Sequence, residues 1–276
     1  MKIVNSFLFL LLFVSCASGK ENIYTGSTPA DPVIRLFLGI PLEDSIDFIR
    51  WHLILDDKHY ILNCNYGISK PNTNGFINGG KKISLNGTLS KQKNYYQLKN
   101  NDKNLKIVEL NMNLLHLLDK DNSLLIGNSG WSYTLNSTSA FVSDVINIRS
   151  QKTVLKDSMV FEGRTPCGVP RIIPAGMLCY KLKWYIVLYG NAEKNEPGTY
   201  KVYGTPWRKQ GGRTGKWKII TGKDDRIIYQ LNDENGNGLV YLLKLDEHIL
   251  VFTDADGKLL VGNGDFSYTM NAIIEP

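Results

Sequence analysis

Residues 117–136 read LLDKDNSLLIGNSGWSYTLN, and residues 252–271 read FTDADGKLLVGNGDFSYTMN. Aligned without a gap they share ten of twenty residues, among them Asp119/Asp254, Gly127/Gly262, Asn128/Asn263, Ser132/Ser267, Tyr133/Tyr268 and Asn136/Asn271. Each stretch runs through a D-x-D turn, a short apolar strand, a Gly-Asn corner and a closing S-Y-T strand. Turn formers alternate here with strand formers. A repeat of this length means that one β-rich unit occurs twice, each copy ending on this motif.

Working outward from the motif, strands recur about every ten residues with no helical pattern between them. In the first copy residues 32–40 open the unit. Asp47–Leu55, His59–Asn63, Lys82–Leu85, Asn94–Leu98 and Leu105–Leu110 read as strands. Turns fall at Asp56–Lys58, Asn86-Gly87 and Asn100–Asp102, with a loop over Asn72–Gly80. Phe141–Arg149 reads equally as a last strand or a short helix. The second copy opens at Phe161. Lys181–Tyr189 places Trp184 opposite Trp51, and a loop over Gly190–Gly198 leads into Thr199–Tyr203. Gly215-Lys216 aligns with Gly80-Lys81, Tyr229-Gln230-Leu231 with Tyr96-Gln97-Leu98, and Leu239–Leu245 leads into the second motif. The pattern predicts an all-β chain of two tandem antiparallel barrels, in which closure removes the exposed sheet edges.

A chain of 276 residues with 43% hydrophobic and 21% charged residues can bury a core in each half. The formal charge of +6 admits anionic partners. The N-terminus turns that expectation from nucleic acid toward the lipids and glycans of a cell envelope. The plainer reading is a solvated lysine-rich face.

Met1-Lys2 precedes an almost unbroken apolar run from Ile3 to Val14, followed by Ser15 and Cys16. This is the pattern of a secretory signal peptide, too short for a stable membrane span. Phe13-Val14-Ser15-Cys16 resembles a bacterial lipobox. It implies cleavage before Cys16, acylation of that cysteine, and a membrane-held protein; Ala17 is compatible with sorting to the outer membrane. The expected organisation is a signal peptide over 1–15, a lipidated tether over 16–31, a first barrel over 32–150 and a second over 151–276.

The order Gly-x-Pro, strand, turn, strand, Gly-Lys, Tyr-Gln-Leu, Asp-x-Asp and Tyr-Thr, behind a lipobox, resembles the N-terminal domain of the NlpE family of copper-resistance lipoproteins and related Bacteroidetes lipoproteins. The resemblance implies small lipocalin-like barrels and an envelope location, with metal handling or envelope-stress sensing as an alternative role. The family's Pro-Cys-x-x-Cys signature is not kept. The first copy reads Pro41-Leu42-Glu43-Asp44-Ser45, and the second, Pro166-Cys167-Gly168-Val169-Pro170, retains one cysteine.

Cys167 and Cys179 flank a Pro/Gly loop, and in an oxidising compartment they form either a disulfide or two separate buried thiols. Cys64 reads as a core residue. His52, His59, His116 and His248 form no ligand cluster, and no cofactor is implied. Asp233-x-Asn235-x-Asn237-Gly238 imitates an EF-hand start but has Lys244 at the twelfth position, so it reads as a hairpin loop. Arg208–Lys218, between Trp207 and Trp217, either grips a phosphate or acidic sugar or is a basic hairpin whose indoles face the barrel. No nucleophile elbow or phosphate-cradling loop is present, so the expectation is a non-catalytic protein, with an envelope hydrolase as the remaining alternative. The expected partners are the membrane, through the lipid, and a small apolar or amphipathic ligand or an envelope protein. Trp51, Trp131, Trp184, Trp207 and Phe266 are the candidate ligand-lining walls.

Overall fold

Among the described residues sixteen strands close into two antiparallel barrels of eight strands each, a tandem lipocalin-like architecture. The computed structural model describes residues 21–139, 141, 145–148, 153–173, 176–205, 207 and 211–274. The first barrel comprises β1 (Asn22–Thr28), β2 (Phe48–Leu55), β3 (His59–Gly67), β4 (Lys81–Gln92), β5 (Tyr95–Asn100), β6 (Lys103–Asn111), β7 (Leu114–Leu117) and β8 (Thr134–Ser137). The second comprises β9 (Ser158–Thr165), β10 (Leu182–Asn191), β11 (Glu196–Gly204), β12 (Arg213–Thr221), β13 (Ile227–Asn232), β14 (Gly238–Lys244), β15 (Ile249–Thr253) and β16 (Thr269–Ala272). Each strand pairs with the next. The barrels close where β8 meets β1, Ser137 opposite Tyr24, and where β16 meets β9, Asn271 opposite Glu162.

Several sequence expectations change. β1 lies inside the stretch read as a tether, so the first barrel begins at Asn22 rather than Pro32. Residues Pro32–Leu38, within the stretch expected to open the unit, form a helix, α1, where the sequence pattern predicts none. Asp31 caps it by accepting from the Val33 N–H at 2.8 Å, Pro32 begins it, and Gly39 ends it at φ 72°. Ile34, Phe37 and Leu38 turn inward and join the core of the first barrel. The second barrel has a loop in that place, stapled by a Cys167–Cys179 disulfide, with Val169 and Ile172 entering the core. The loop expected over Gly190–Gly198 is shorter, because β10 runs to Asn191 and β11 begins at Glu196. Phe141–Arg149 lies partly outside the described residues, and its described residues carry no strand or helix.

Asn86-Gly87 is not a turn, because β4 runs straight through it. A Cβ at Gly87 would sit 2.1 Å from the Lys99 carbonyl and 2.9 Å from the Tyr60 ring. A Cβ at Gly215 would meet Tyr200 at 2.7 Å and the Asn232 carbonyl at 2.9 Å. Gly87 and Gly215 are therefore counterparts, and the alignment of Gly215 with Gly80 is corrected. Both leave room for the ring of the core tyrosine opposite, Tyr60 or Tyr200.

Large side chains fill both interiors. Trp51, Tyr60 and Leu62 in the first barrel and Trp184, Tyr200 and Phe252 in the second are all buried. Each central indole donates to a threonine at the end of the first strand: Trp51 Nε1 to Thr28 Oγ1 and Trp184 Nε1 to Thr165 Oγ1, both at 2.9 Å. The tyrosines of the repeated motif are matched too. The Tyr133 hydroxyl meets the backbone of Asp31, and the Tyr268 hydroxyl accepts from the Gly168 N–H at 3.0 Å. A third core lies between the barrels, where Val108, Leu110 and Leu114 of the first pack with Leu243, Ile249 and Val251 of the second.

Candidate functional site

The repeated motif builds the junction between the barrels. Asn136 Oδ1 accepts from the Gly262 N–H, and Asn271 Oδ1 from the Gly127 N–H, both at 2.8 Å. Ser132 and Ser267 hydroxyls meet at 2.6 Å, and the Thr269 hydroxyl donates to Thr134 Oγ1 at 2.9 Å. Each copy thus pairs with the other around an approximate two-fold axis. The glycines are required because a Cβ at Gly127 or Gly262 would fall 2.8 Å from the facing asparagine oxygen and closer still to a carbonyl of its own copy, 2.3 Å from that of Trp131 or 2.2 Å from that of Phe266. Within each copy the corner asparagine also holds its turn. Asn128 Oδ1 accepts from Gly130 and Trp131, and Asn263 Oδ1 from Asp265 and Phe266.

His116, fully buried, extends this junction. Its Nε2 lies 3.0 Å from the Leu125 carbonyl and its Nδ1 2.9 Å from Thr134 Oγ1. The carbonyl can only accept, so Nε2 carries the proton and Nδ1 accepts from the threonine. Burial pulls the imidazole pKa down to about 4.

Beside the junction a crevice of about 410 Å³ opens between the barrels. The loop after β3, Ser69–Asn74, forms one wall; Arg164, at the end of β9, and Tyr180, Lys181 and Lys183, around the start of β10, form the other. Phe48 and Trp131 form its floor. Phe48 lies between Phe76, 4.2 Å away at 18°, and Trp131, 4.6 Å away at 15°. The Arg50 guanidinium bridges the barrels, donating to the Asn74 carbonyl and to Asp265 Oδ1, both at 2.6 Å. Asn74 Nδ2 donates to the other Asp265 oxygen at 2.7 Å. Arg164 lies 5.6 Å from the Trp131 ring centre, and Lys181 5.2 Å from that of Phe266. Burial, and then the like charges of Arg164 and Lys183, hold the Lys181 ammonium below the usual lysine value. Burial likewise lowers Arg164, opposed by the nearby Glu162.

The five aromatic residues expected as ligand walls divide. Trp131 lines the crevice. Trp51 and Trp184 are core residues, and Trp207 packs edge-on against Trp184 with ring centres 6.0 Å apart. Phe266 is buried beneath Lys181. Of the basic stretch, Arg208–Gln210 lie outside the described residues, as does Cys16. Trp217 is buried and donates to the Tyr189 carbonyl at 2.7 Å. Asp233 Oδ1 accepts from the Asn235 and Asn237 N–H groups, so that loop is a side-chain-held hairpin turn. Cys64 is a buried free thiol whose pKa burial raises. Among the described residues no group of three or more His, Cys, Asp or Glu side chains is arranged to hold a metal.

Sequence reasoning missed Arg50, Arg164, Lys181, Lys183 and Tyr180. The signal was present in KLKWYIVLY: Leu182, Trp184 and Ile186 point inward, so Lys183 must point out. What the strand alone did not show is that the second barrel faces the first there.

Compared with protein-family models, with curated proteins and with solved structures, the chain matches none.

Proposed function

We propose that this protein is a non-catalytic, lipid-anchored binding protein of a bacterial cell envelope, and that the crevice between the barrels is its binding site. The observation that carries the reading is the contrast between interior and crevice. Both barrel interiors are filled by their own side chains, whereas the crevice joins an aromatic floor to a cationic wall in a volume suited to a small amphipathic ligand. Its one carboxylate among the described residues, Asp265, is already held by Arg50 and Asn74. The anchoring part of the reading rests on the apolar N-terminal run ending in Ser15-Cys16, with placement in the outer membrane and a thioether-linked lipid on Cys16. The likeness to NlpE-type lipoproteins supports the same address. Copper handling by the cysteines is the less favoured role, since Cys167 and Cys179 are bound to each other.

Two measurements test this. Cys16→Ala should abolish incorporation of labelled palmitate and release the protein from the membrane fraction; continued labelling would contradict anchoring there. Anilinonaphthalene sulfonate, an apolar ring system with one anionic group, should bind saturably. Its excitation through tryptophan should fall in Trp131→Phe, while Tyr180→Ala should weaken binding. Unchanged binding in Tyr180→Ala together with Trp131→Ala would contradict the crevice as the site.

A further inference from the structure

The crevice carries an imbalance of charge that the binding reading alone does not use. Among the described residues five cationic side chains line it, Arg50, Lys70, Arg164, Lys181 and Lys183, against the single carboxylate of Asp265. Arg50 and Asn74 occupy both oxygens of that carboxylate. Among the described residues no ion pair joins Arg164, Lys181 or Lys183 to a carboxylate. Three cations are thus gathered on one wall, and Arg164 and Lys181 are partly withdrawn from water. Glu162 offsets the charge of Arg164 in part and Asp265 that of Lys181; an entering anion relieves the repulsion that Lys181 still meets from Arg164 and Lys183. Lys181 sits between Phe266 and Tyr180, 5.2 and 5.7 Å from the two ring centres. Tyr180 is 68% exposed and so offers a flat amphipathic surface beside the charge.

The position of the crevice narrows the source of that anion. It lies at the Thr28 end of β1 and the Thr165 end of β9, whereas the chain enters β1 at Asn22. β1 spans about 20 Å between those ends. A chain anchored at Cys16 reaches at most about 20 Å before Asn22. For a chain held at Cys16 the crevice thus sits at the end of β1 farther along the chain from the anchor, and only a fully extended tether lying back along β1 brings it to the headgroups of that bilayer.

Resting on the crevice as the binding site, we propose that its ligand is an anionic saccharide, a sugar ring bearing a carboxylate or phosphate. Arg164, Lys181 and Lys183 take the charge and Tyr180 takes the ring face. The volume of about 410 Å³ suits a mono- or disaccharide unit.

The test is titration of the full chain by calorimetry at low salt with digalacturonate, lactose, glucose 6-phosphate and inorganic phosphate. Three exposed cation–anion contacts predict a preference of about three-fold to a hundred-fold for the better-bound charged sugar over lactose. The preference should shrink with added salt and vanish in Lys181→Met/Lys183→Met, with thermal melting confirming that the variant is folded. Tyr180→Ala should weaken both charged sugars but not inorganic phosphate. A carboxylate source predicts digalacturonate as the tighter of the two charged sugars, a phosphate source glucose 6-phosphate. Lactose binding as tightly as the better-bound charged sugar, or inorganic phosphate binding as tightly as that sugar, overturns the proposal. If anilinonaphthalene sulfonate binds in the crevice while neither charged sugar binds, the saccharide inference falls and the binding site stands. If none binds, the site itself is wrong.

Discussion

Truncating the two junction asparagines should cost unequal amounts, although the residues are counterparts. Asn136 is fully buried; its oxygen accepts from Gly262 and its amide donates to the Asn263 carbonyl at 3.1 Å. Asn271 is equally buried and accepts from Gly127, but its Nδ2 has no hydrogen-bond partner among the described residues. An orphaned buried polar group costs about 1–3 kcal/mol. Asn136→Ala orphans two groups and should cost about 2–6 kcal/mol. Asn271→Ala orphans one and removes an unpaired amide, so its cost should be about 0–2 kcal/mol on the same scale. Urea unfolding followed by far-ultraviolet circular dichroism and by tryptophan fluorescence measures both. The shared core of Val108, Leu110, Leu243 and Val251 predicts coincident transitions with an unchanged m-value. Equal costs, a larger cost for Asn271→Ala, or a separate transition for each half would refute the reasoning.

Three further outcomes follow from other parts of the molecule. The His116 pKa is about 4 in the fold against about 6.5 unfolded; between those values the unfolded chain binds more protons, so its contribution to stability is full above pH 6.5 and lost as pH falls toward 4. The loss is at most about 3 kcal/mol, and His116→Val, which copies Val251 of the second barrel, should flatten that part of the stability–pH curve; an unchanged slope would contradict a neutral buried imidazole. Replacing Cys167 and Cys179 by serine should cost about 3 kcal/mol by the chain-entropy estimate, read from the urea midpoint, and a change below measurement error would mean the staple is idle. Thr28→Val and Thr165→Val each leave a buried indole N–H unpaired and should lower stability by similar amounts, about 1–3 kcal/mol; a large effect at one site alone would deny that the cores are equivalent.

The duplication was legible because its two endings align without a gap, and the barrel because strands recur without helices between them. The job of the motif was not legible. Its Gly-Asn corner is a sound turn signal, and Asn128 and Asn263 do hold turns. The partner of each neighbouring glycine, however, lies more than a hundred residues away. A hint existed in β7 and β15, where every residue is buried. A strand wall that faces solvent alternates, and one that does not must have both faces covered. β1 escaped notice because NIYTGST is short and rich in small polar residues, and its strand character comes from closing the sheet. α1 carried legible caps in Asp31, Pro32 and Gly39, but seven residues give too little periodicity to outweigh its apolar run. The crevice draws on Phe48, Trp131, Arg164 and Lys181, four separate segments, and only the docking of the barrels brings them together.

That docking is tested most directly by joining it covalently. The Ser132 and Ser267 hydroxyls meet at 2.6 Å, so Ser132→Cys/Ser267→Cys should form a disulfide under mild oxidation. Peptide mass spectrometry should then find residues 132 and 267 in one cross-linked species, with the protein otherwise folded. Two free thiols at these positions, in a folded chain whose native Cys167–Cys179 bridge is intact, would contradict the paired-barrel junction and the crevice it creates.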